Sequence, residues 1–272
     1  MEKLAAKPVQ EAVAFLRKMS PEVPSAAIIL GSGVKALENL DESNSVSYDE
    51  VFGISPGVVG HSGTLSLGKV GGKLVAVLRG RFHCYEGHPW DVVTLPAQVL
   101  VDWGVPELYV TNAAGGINQS FNVGDLMILT GYRDHLNNSF RQTGLLTQIK
   151  KAAVNCSNKL TDKLVQVSAK LHKQDQSFKP LQAGTYIGLL GPNYETLAEV
   201  ELLKYLNCDA VGMSTVPELI TCHGTKTIAA GLSVITNVWK PDEAVGGHEE
   251  VLTAAKLASE QIDKLFREAI HS

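Results

Sequence analysis

The sequence predicts a single α/β domain over residues 1–272, built on a mixed, largely parallel β-sheet flanked by helices. Three observations carry this prediction. Short apolar runs alternate with segments of helical periodicity, the pattern of strands joined by crossover helices. Several of the runs end directly in glycine- or arginine-rich polar segments, as strands do when they deliver groups to a site at the carboxyl edge of a sheet. The chain has 272 residues with no internal repeat, linker or low-complexity tract, a length at which one core is normal.

Val9, Ala12, Val13 and Leu16 recur at helical spacing and predict a first helix running to Arg17. Pro21 and Pro24 then break the chain before an apolar strand over residues 26–30. Further strands are predicted at 64–70, 74–78, 108–111 and 126–130, and later at 185–190, 210–212 and 227–235. Helical patterns occupy 92–103, 196–206, 216–222 and 249–270. The stretch from Gln142 to Gln176 is rich in Lys, Asn, Gln and Ser, and its weak periodicity predicts one surface helix with loose flanks.

Composition narrows the functional classes. Hydrophobic residues make up 44% of the chain, charged residues 19%, and the formal net charge is −4. This gives no basic field for nucleic acid, and there is no Lys/Arg run, so any phosphate group must be recognised by a few placed donors. Cys84, Cys156, Cys208 and Cys222 are scattered without a close pair, which fits neither a zinc site nor a disulfide framework and suits a reducing compartment. The first twenty or so residues lack the apolar segment of an export signal, and no apolar stretch is long enough to span a bilayer. The expectation is a cytoplasmic protein with no membrane partner. No His, Cys or carboxylate cluster has ligand spacing, so neither a metal nor an organic cofactor is expected.

The densest chemistry lies in Arg79-Gly80-Arg81-Phe82-His83-Cys84-Tyr85-Glu86-Gly87-His88, directly after an apolar run. Arginine pairs well with planar and tetrahedral oxyanions through its fork of N–H donors, which points towards phosphate. Gly31-Ser32-Gly33 and Asn112-Ala113-Ala114-Gly115-Gly116 follow two other predicted strands. Glycines there allow a sharp turn that points N–H groups into one concavity, an arrangement that favours anions. All three strand ends can converge on one site.

Taken together, the ordered motifs identify a resemblance. Gly31-Ser32-Gly33, Gly60-His61-Ser62-Gly63, Arg81 to Gly87 and Asn112 to Gly116 are followed by Gly191-Pro192-Asn193-Tyr194-Glu195-Thr196. Then come Gly212-Met213-Ser214-Thr215-Val216-Pro217-Glu218, Thr236-Asn237 and His248-Glu249-Glu250-Val251. From about residue 25 onwards this series resembles the trimeric purine nucleoside phosphorylases. The resemblance implies reversible phosphorolysis, in which a 6-oxopurine (deoxy)ribonucleoside and phosphate give free base and pentose 1-phosphate. Inorganic phosphate is then a co-substrate, a purine nucleoside the small-molecule partner, and the assembly a homotrimer.

The resemblance implies that Ser32, His61, Arg81, His83, Ala114 and Ser214 hold phosphate, Ala114 through its backbone N–H. It places Tyr85 and Met213 against the sugar, Glu195 and Asn237 on the base, Tyr194 on the base's face, and His248 at the sugar 5′-hydroxyl. Asn237, Glu195 and His83 would carry the chemistry. Cleavage leaves positive charge on the sugar and negative charge on the departing purine, and a phosphate held beneath the ring stabilises the former and then attacks. An amide at Asn237 suits a developing charge at N7. A carboxylate at Glu195 accepts from N1–H, which adenine lacks.

Each residue also has a plainer reading. Ser32 fits a turn, Ala114 small packing, His61 a loop, His83 a satisfied core histidine, and Tyr85, Tyr194 and Met213 ordinary packing. Glu195 could cap the following helix against its dipole, Asn237 could sit in a turn, and His248 could be a surface residue. Two departures from the family pattern stand out. After Asn137 the chain enters its polar helix through Asn138-Ser139-Phe140-Arg141 without the longer family loop that lends a phenylalanine to the neighbouring sugar pocket. Trp239, in Val238-Trp239-Lys240-Pro241-Asp242, replaces a small or aliphatic residue and could reshape the base side. A methylthioadenosine-type phosphorylase is the near alternative, but such enzymes tend to carry aspartate in place of Asn237 and an apolar residue in place of His248. A catalytically silent nucleoside- or phosphate-binding homologue is another class. A nicotinamide oxidoreductase is disfavoured because Gly31-Ser32-Gly33-Val34 lacks the spaced third glycine.

Overall fold

The computed structural model describes residues 6–58, 60–136, 152–240 and 248–272, the last segment without the His248 side chain. The chain begins with α1 (Val9–Met19), β1 (Ala26–Leu30), β2 (Asp41–Ser47), α2 (Tyr48–Phe52), β3 (Thr64–Val70) and β4 (Lys73–Arg79). A 3-10 turn (Cys84–Glu86), α3 (Trp90–Trp103), β5 (Glu107–Gly116), β6 (Leu126–His135), β7 (Val154–Asn155) and α4 (Lys159–Gln174) follow. The remainder is β8 (Gln182–Leu189), α5 (Leu197–Tyr205), β9 (Ala210–Gly212), α6 (Val216–Cys222), β10 (Ile228–Val238) and α7 (His248–His271).

The strands form one mixed sheet, ordered β10-β6-β8-β9-β5-β1-β4-β3-β2, with β7 added to β6. β10 also pairs with β5 along its length, so β5, β10, β6, β8 and β9 close into a ring from which β1, β4, β3 and β2 extend. Among the described residues, pairings are divided equally between parallel and antiparallel. β1 is buried on both faces, which explains its unbroken Ala-Ala-Ile-Ile-Leu sequence. Successive side chains point to opposite sides. Ala27 and Ile29 join the core that includes Leu16 of α1 and Leu95 and Leu100 of α3. Ala26, Ile28 and Leu30 join the core that includes Leu164 of α4 and Ile262 and Phe266 of α7. Helices therefore cover both faces.

β5 determines where a site can form. One of its edges pairs with β10 throughout, from Glu107 to Gly116. The other pairs with β1 only at 108–110 and with β9 only at Gly115 and Gly116. On this second edge, residues 111–114 have no strand beside them. The sheet thus splits at the carboxyl end of β1, a topological switch point of the kind where ligands bind in α/β sheets. The expectation that Asn112 to Gly116 form a turn is overturned: they continue the strand, because β10 supplies a ladder along one edge.

Candidate functional site

Glycine geometry brings β1 and β4 to the split. A Cβ on Gly31 would lie 2.7 Å from the Thr111 carbonyl oxygen and 2.8 Å from Asn112 Cα. Only glycine lets the end of β1 approach β5 so closely, and the Gly31 N–H donates to Thr111 Oγ1 at 2.9 Å. β4 leads through Gly80, whose φ of +120° is reserved for glycine, into Arg81.

Arg81 is almost fully enclosed. Its Nη1 donates to Ser214 Oγ at 2.8 Å and its Nη2 to the Thr111 carbonyl at 2.7 Å. Glu218 Oε1 lies 3.0 Å from Nε, with side-chain exposures of 3% for Arg81 and 5% for Glu218. The Nε–H does not point along that line, so the contact is an ion pair without an aligned hydrogen bond. Ser214 is followed by Thr215 at φ +72°, a strained conformation for a β-branched residue. Asn112 Nδ2 donates to Thr215 Oγ1 at 2.8 Å and ties that turn to β5.

Three rings stack beside Arg81. His61 and His83 have centroids 5.1 Å apart, and His83 and Tyr85 4.7 Å apart. Burial holds the His83 imidazole below its ordinary pKa, outweighing the Glu86 contact that favours its charge. A neutral His83 donates Nδ1–H to Glu86 Oε1 at 3.0 Å, which leaves Nε2 as an acceptor. Glu86 Oε1 also accepts from the His83 N–H, and Oε2 from the Gly57 N–H, each at 2.8 Å.

His61 packs against Ser32 and Arg81. Its Nε2 lies 3.0 Å from Ser32 Oγ, while Nδ1 lies 3.2 Å from the Arg81 nitrogen and 3.1 Å from the Arg81 carbonyl oxygen. Either neutral tautomer therefore has both ring nitrogens engaged by protein. Burial, reinforced by His83 and Arg81, pushes its pKa down to about 3. His61 is absent from the cavity wall and supports Ser32 from behind.

One cavity joins these groups to the remaining predicted residues. Ser32, Arg81, His83 and Ser214 line it together with Tyr85, Met213, Tyr194, Glu195 and Asn237. The β5 backbone forms part of the wall. Along a strand, the N–H and C=O of alternate residues face opposite edges. The Ala114 carbonyl accepts from Thr236 Oγ1 of β10 at 3.3 Å, whereas a Cβ on Gly212 of β9 would lie 3.2 Å from the Ala113 carbonyl. The N–H turned to the split is therefore that of Ala113, one residue before the expected Ala114.

Further along β5, the β10–β5 register shifts between Ile235 and Asn237. This irregularity brings both Thr236 and Asn237 to the cavity, as bulges beside functional sites commonly do. Thr236 Oγ1, which shares its one proton between the Ala114 carbonyl and Asn237 Oδ1 at 3.2 Å, leaves the Nδ2 hydrogens available. Burial raises the Glu195 pKa. Capping of α5 belongs to Thr196 and Glu199, which form a reciprocal capping box, so the capping role weighed for Glu195 is filled by its neighbours. Tyr194 is 42% exposed at the rim.

Trp239 lines a separate groove of about 740 Å³ that shares Thr236 and Asn237 with the cavity. Its ring packs under Lys204, with Nζ 4.1 Å from the centroid. Trp239 thus contacts α5 through Lys204 while bordering Asn237 through the shared wall. The segment after Asn137, including Phe140, and the His248 side chain lie outside the described residues, although Val251 of α7 lines the cavity. Glu86, Glu218, Thr111, Asn112 and Thr236 were not singled out from sequence as site residues. Glu86 and Glu218 lie within the Arg81–Gly87 and Gly212–Glu218 segments, but nothing in a linear pattern reveals that they support His83 and Arg81. Among the described residues, no group of His, Cys, Asp or Glu is arranged to hold a metal ion, and no helix is long and apolar enough to cross a membrane.

A sheet split that gathers hydroxyls, an arginine and a free N–H, in a cavity shared with a half-buried amide and carboxylate, defines a phosphorylase-type centre. The chain belongs to the phosphorylase superfamily, whose family model matches residues 25–271. Its sequence is 37% identical over 266 residues to the purine nucleoside phosphorylase of Bos taurus, covering 94% of this chain and 91% of that protein. It is 39% identical over 236 residues to purine nucleoside phosphorylase 1 of Bacillus subtilis, covering 84% of each. Its fold matches a Schistosoma purine nucleoside phosphorylase in complex with hypoxanthine, with a TM-score of 0.82 and 29% identity over 97% of this chain and 96% of that one. The Schistosoma mansoni enzyme in complex with inosine gives a TM-score of 0.82 and 30% identity, with coverage of 97% and 95%.

Proposed function

We propose that the protein is a purine nucleoside phosphorylase that reversibly cleaves 6-oxopurine (deoxy)ribonucleosides with inorganic phosphate as co-substrate. The observation that carries this reading is one cavity whose wall holds both anion donors and an amide and carboxylate able to bind a purine. Phosphate sits at the β5 split, held by the Ser32 and Ser214 hydroxyls, the Ala113 N–H and the Arg81 charge. His83 Nε2, an acceptor when Nδ1–H is given to Glu86, accepts a hydrogen bond from the P–OH of a monoprotonated phosphate. The sugar lies over Tyr85 and Met213.

Catalysis comes from complementarity to developing charge. Phosphate beneath the ring stabilises the cationic sugar and then bonds to its anomeric carbon as the carbon–nitrogen bond breaks. Asn237 Nδ2–H donates to N7 of the departing purine, with its amide oriented by Thr236. Glu195 accepts from N1–H, and its raised basicity strengthens that bond. The same reading makes the whole chain one phosphorylase domain, cytoplasmic and homotrimeric, without a resident cofactor.

The test is release of free base from inosine, guanosine, adenosine and methylthioadenosine, with and without phosphate. Phosphate-dependent hypoxanthine or guanine release is the expected result. Adenine release from methylthioadenosine alone would move the protein to the neighbouring specificity, and binding without turnover would make it a silent homologue. Light scattering tests the three-chain mass.

A further inference from the structure

Glu218 is not part of the cavity wall, yet its carboxylate stands directly behind Arg81. The guanidinium is held by acceptors on several sides: Ser214 Oγ, the Thr111 carbonyl and, at 3.5 Å, the Ile29 carbonyl. These contacts fix its plane. They do not neutralise its charge, which in a buried setting calls for a counter-ion. Glu218 supplies one from α6, in the turn that follows Ser214 and the strained Thr215.

We propose that Glu218 is a positioning residue for phosphate: it holds Arg81 from behind and divides the cation's attraction between itself and the bound anion. The inference rests on the phosphorolysis reading above. A carboxylate one guanidinium away repels the phosphate that the guanidinium attracts. Glu218 thereby keeps the anion loosely enough seated to move onto the sugar carbon. At an effective dielectric of about 20, removing such a like charge strengthens anion binding on the order of tenfold. A role confined to folding predicts the opposite sign, because a disordered Arg81 would bind phosphate less well.

The experiment compares wild type with Glu218→Gln and Glu218→Asp, measuring KM for phosphate and for inosine, kcat, and the rise in Tm produced by phosphate. Wild-type turnover comes first, since its failure refutes the phosphorolysis reading independently. In Glu218→Gln the phosphate KM should fall roughly tenfold, with inosine KM within about twofold of wild type and kcat reduced. Phosphate should stabilise this variant more than wild type. Glu218→Asp, which retains the charge, should return the phosphate KM to within about threefold of wild type. A phosphate KM in Glu218→Gln that rises or stays unchanged, or an inosine KM that moves by the same factor, overturns the proposal. Failure of Glu218→Gln to fold even in saturating phosphate also overturns it, because bound phosphate should replace the missing counter-charge.

Discussion

Replacing Glu86 by glutamine tests how the anion end is held. Glu86 accepts from the His83 N–H at 2.8 Å, from His83 Nδ1 at 3.0 Å and from the Gly57 N–H at 2.8 Å. Glutamine keeps the shape but turns one oxygen into an NH2 group that must face an N–H donor. Whichever end is chosen, at least one hydrogen bond is lost and those remaining become neutral. A hydrogen bond to a charged group contributes about 1.5–3 kcal/mol and a neutral one about 1 kcal/mol. Losing one and weakening the others should destabilise the fold by about 3 kcal/mol, equivalent to a Tm lowered by roughly 6–12 °C. Burial pushes the Glu86 carboxyl up, but hydrogen bonds from His83 and Gly57 outweigh it and hold the pKa at about 2, below the ordinary 4.5. A depressed folded-state pKa stabilises above the unfolded value, and the contribution disappears as pH falls through the folded one. The Tm gap between wild type and Glu86→Gln should therefore be greatest near neutral pH and narrow below about 4.5. Scanning calorimetry from pH 7 to pH 3 measures this. Equal Tm values at pH 7, or a gap that does not narrow in acid, would refute the reasoning.

Asn237→Ala should lower kcat/KM for inosine by about a hundred- to thousandfold while leaving Tm near wild type, because it would remove the proposed donor to the leaving base. Steady-state kinetics and calorimetry check both parts. Asn237→Asp should shift preference towards 6-aminopurine nucleosides, and an unchanged base profile would count against the role of this amide. Gly31→Ala places a Cβ 2.7 Å from a backbone oxygen, where no side chain can move aside. It should spread β1 from β5 and raise the phosphate KM, so a variant with normal stability and normal phosphate KM would contradict the tight approach at the split. His61 has a folded pKa of about 3 against an ordinary 6.5, so the unfolded chain takes up its proton first. Its neutral ring stabilises fully above 6.5 and ceases to do so as pH falls towards 3. His61→Gln should flatten the loss of stability across that window in denaturant unfolding.

The strands over 26–30, 64–70 and 210–212 and the helix over 216–222 were legible to the residue. Apolar runs with glycine or proline beside them leave little freedom about where an element stops. β2 was missed because Asp-Glu-Ser-Asn-Ser-Val-Ser lies on the exposed edge of the sheet, where no buried face imposes alternation. β5 was cut short because its glycines suggest a turn, and only the distant β10 makes them strand. The same limit applies at the site. Ser32, Arg81, His83, Ser214, Glu195 and Asn237 stood out because their types suit the chemistry. Exchanging Ala114 for Ala113 required the register of two strands far apart in sequence. The supporting roles of Glu86 and Glu218 likewise needed the fold to bring them against a histidine and an arginine.

The two ends of the cavity arise from two interruptions of the ladder around one strand. At the anion end, β5 leaves β1 after Val110 and does not meet β9 until Gly115, so the N–H of Ala113 has no strand partner. An unpaired N–H in a buried region is costly unless something accepts it, and an anion does so with a stronger bond than a neutral group. At the base end, the register of β10 against the same strand shifts beyond Ile235 and turns Asn237 inward beside Thr236. A Cβ on Gly115 would lie 3.5 Å from the Asn237 amide, so β5 also sets the space in which that amide moves. Because both interruptions belong to β5, the spacing between the Ala113 N–H and the Asn237 amide is set by strand geometry. A substitution that repairs either ladder would therefore be expected to stabilise the sheet while abolishing one end of the site, which is the opposite of what an ordinary core defect does.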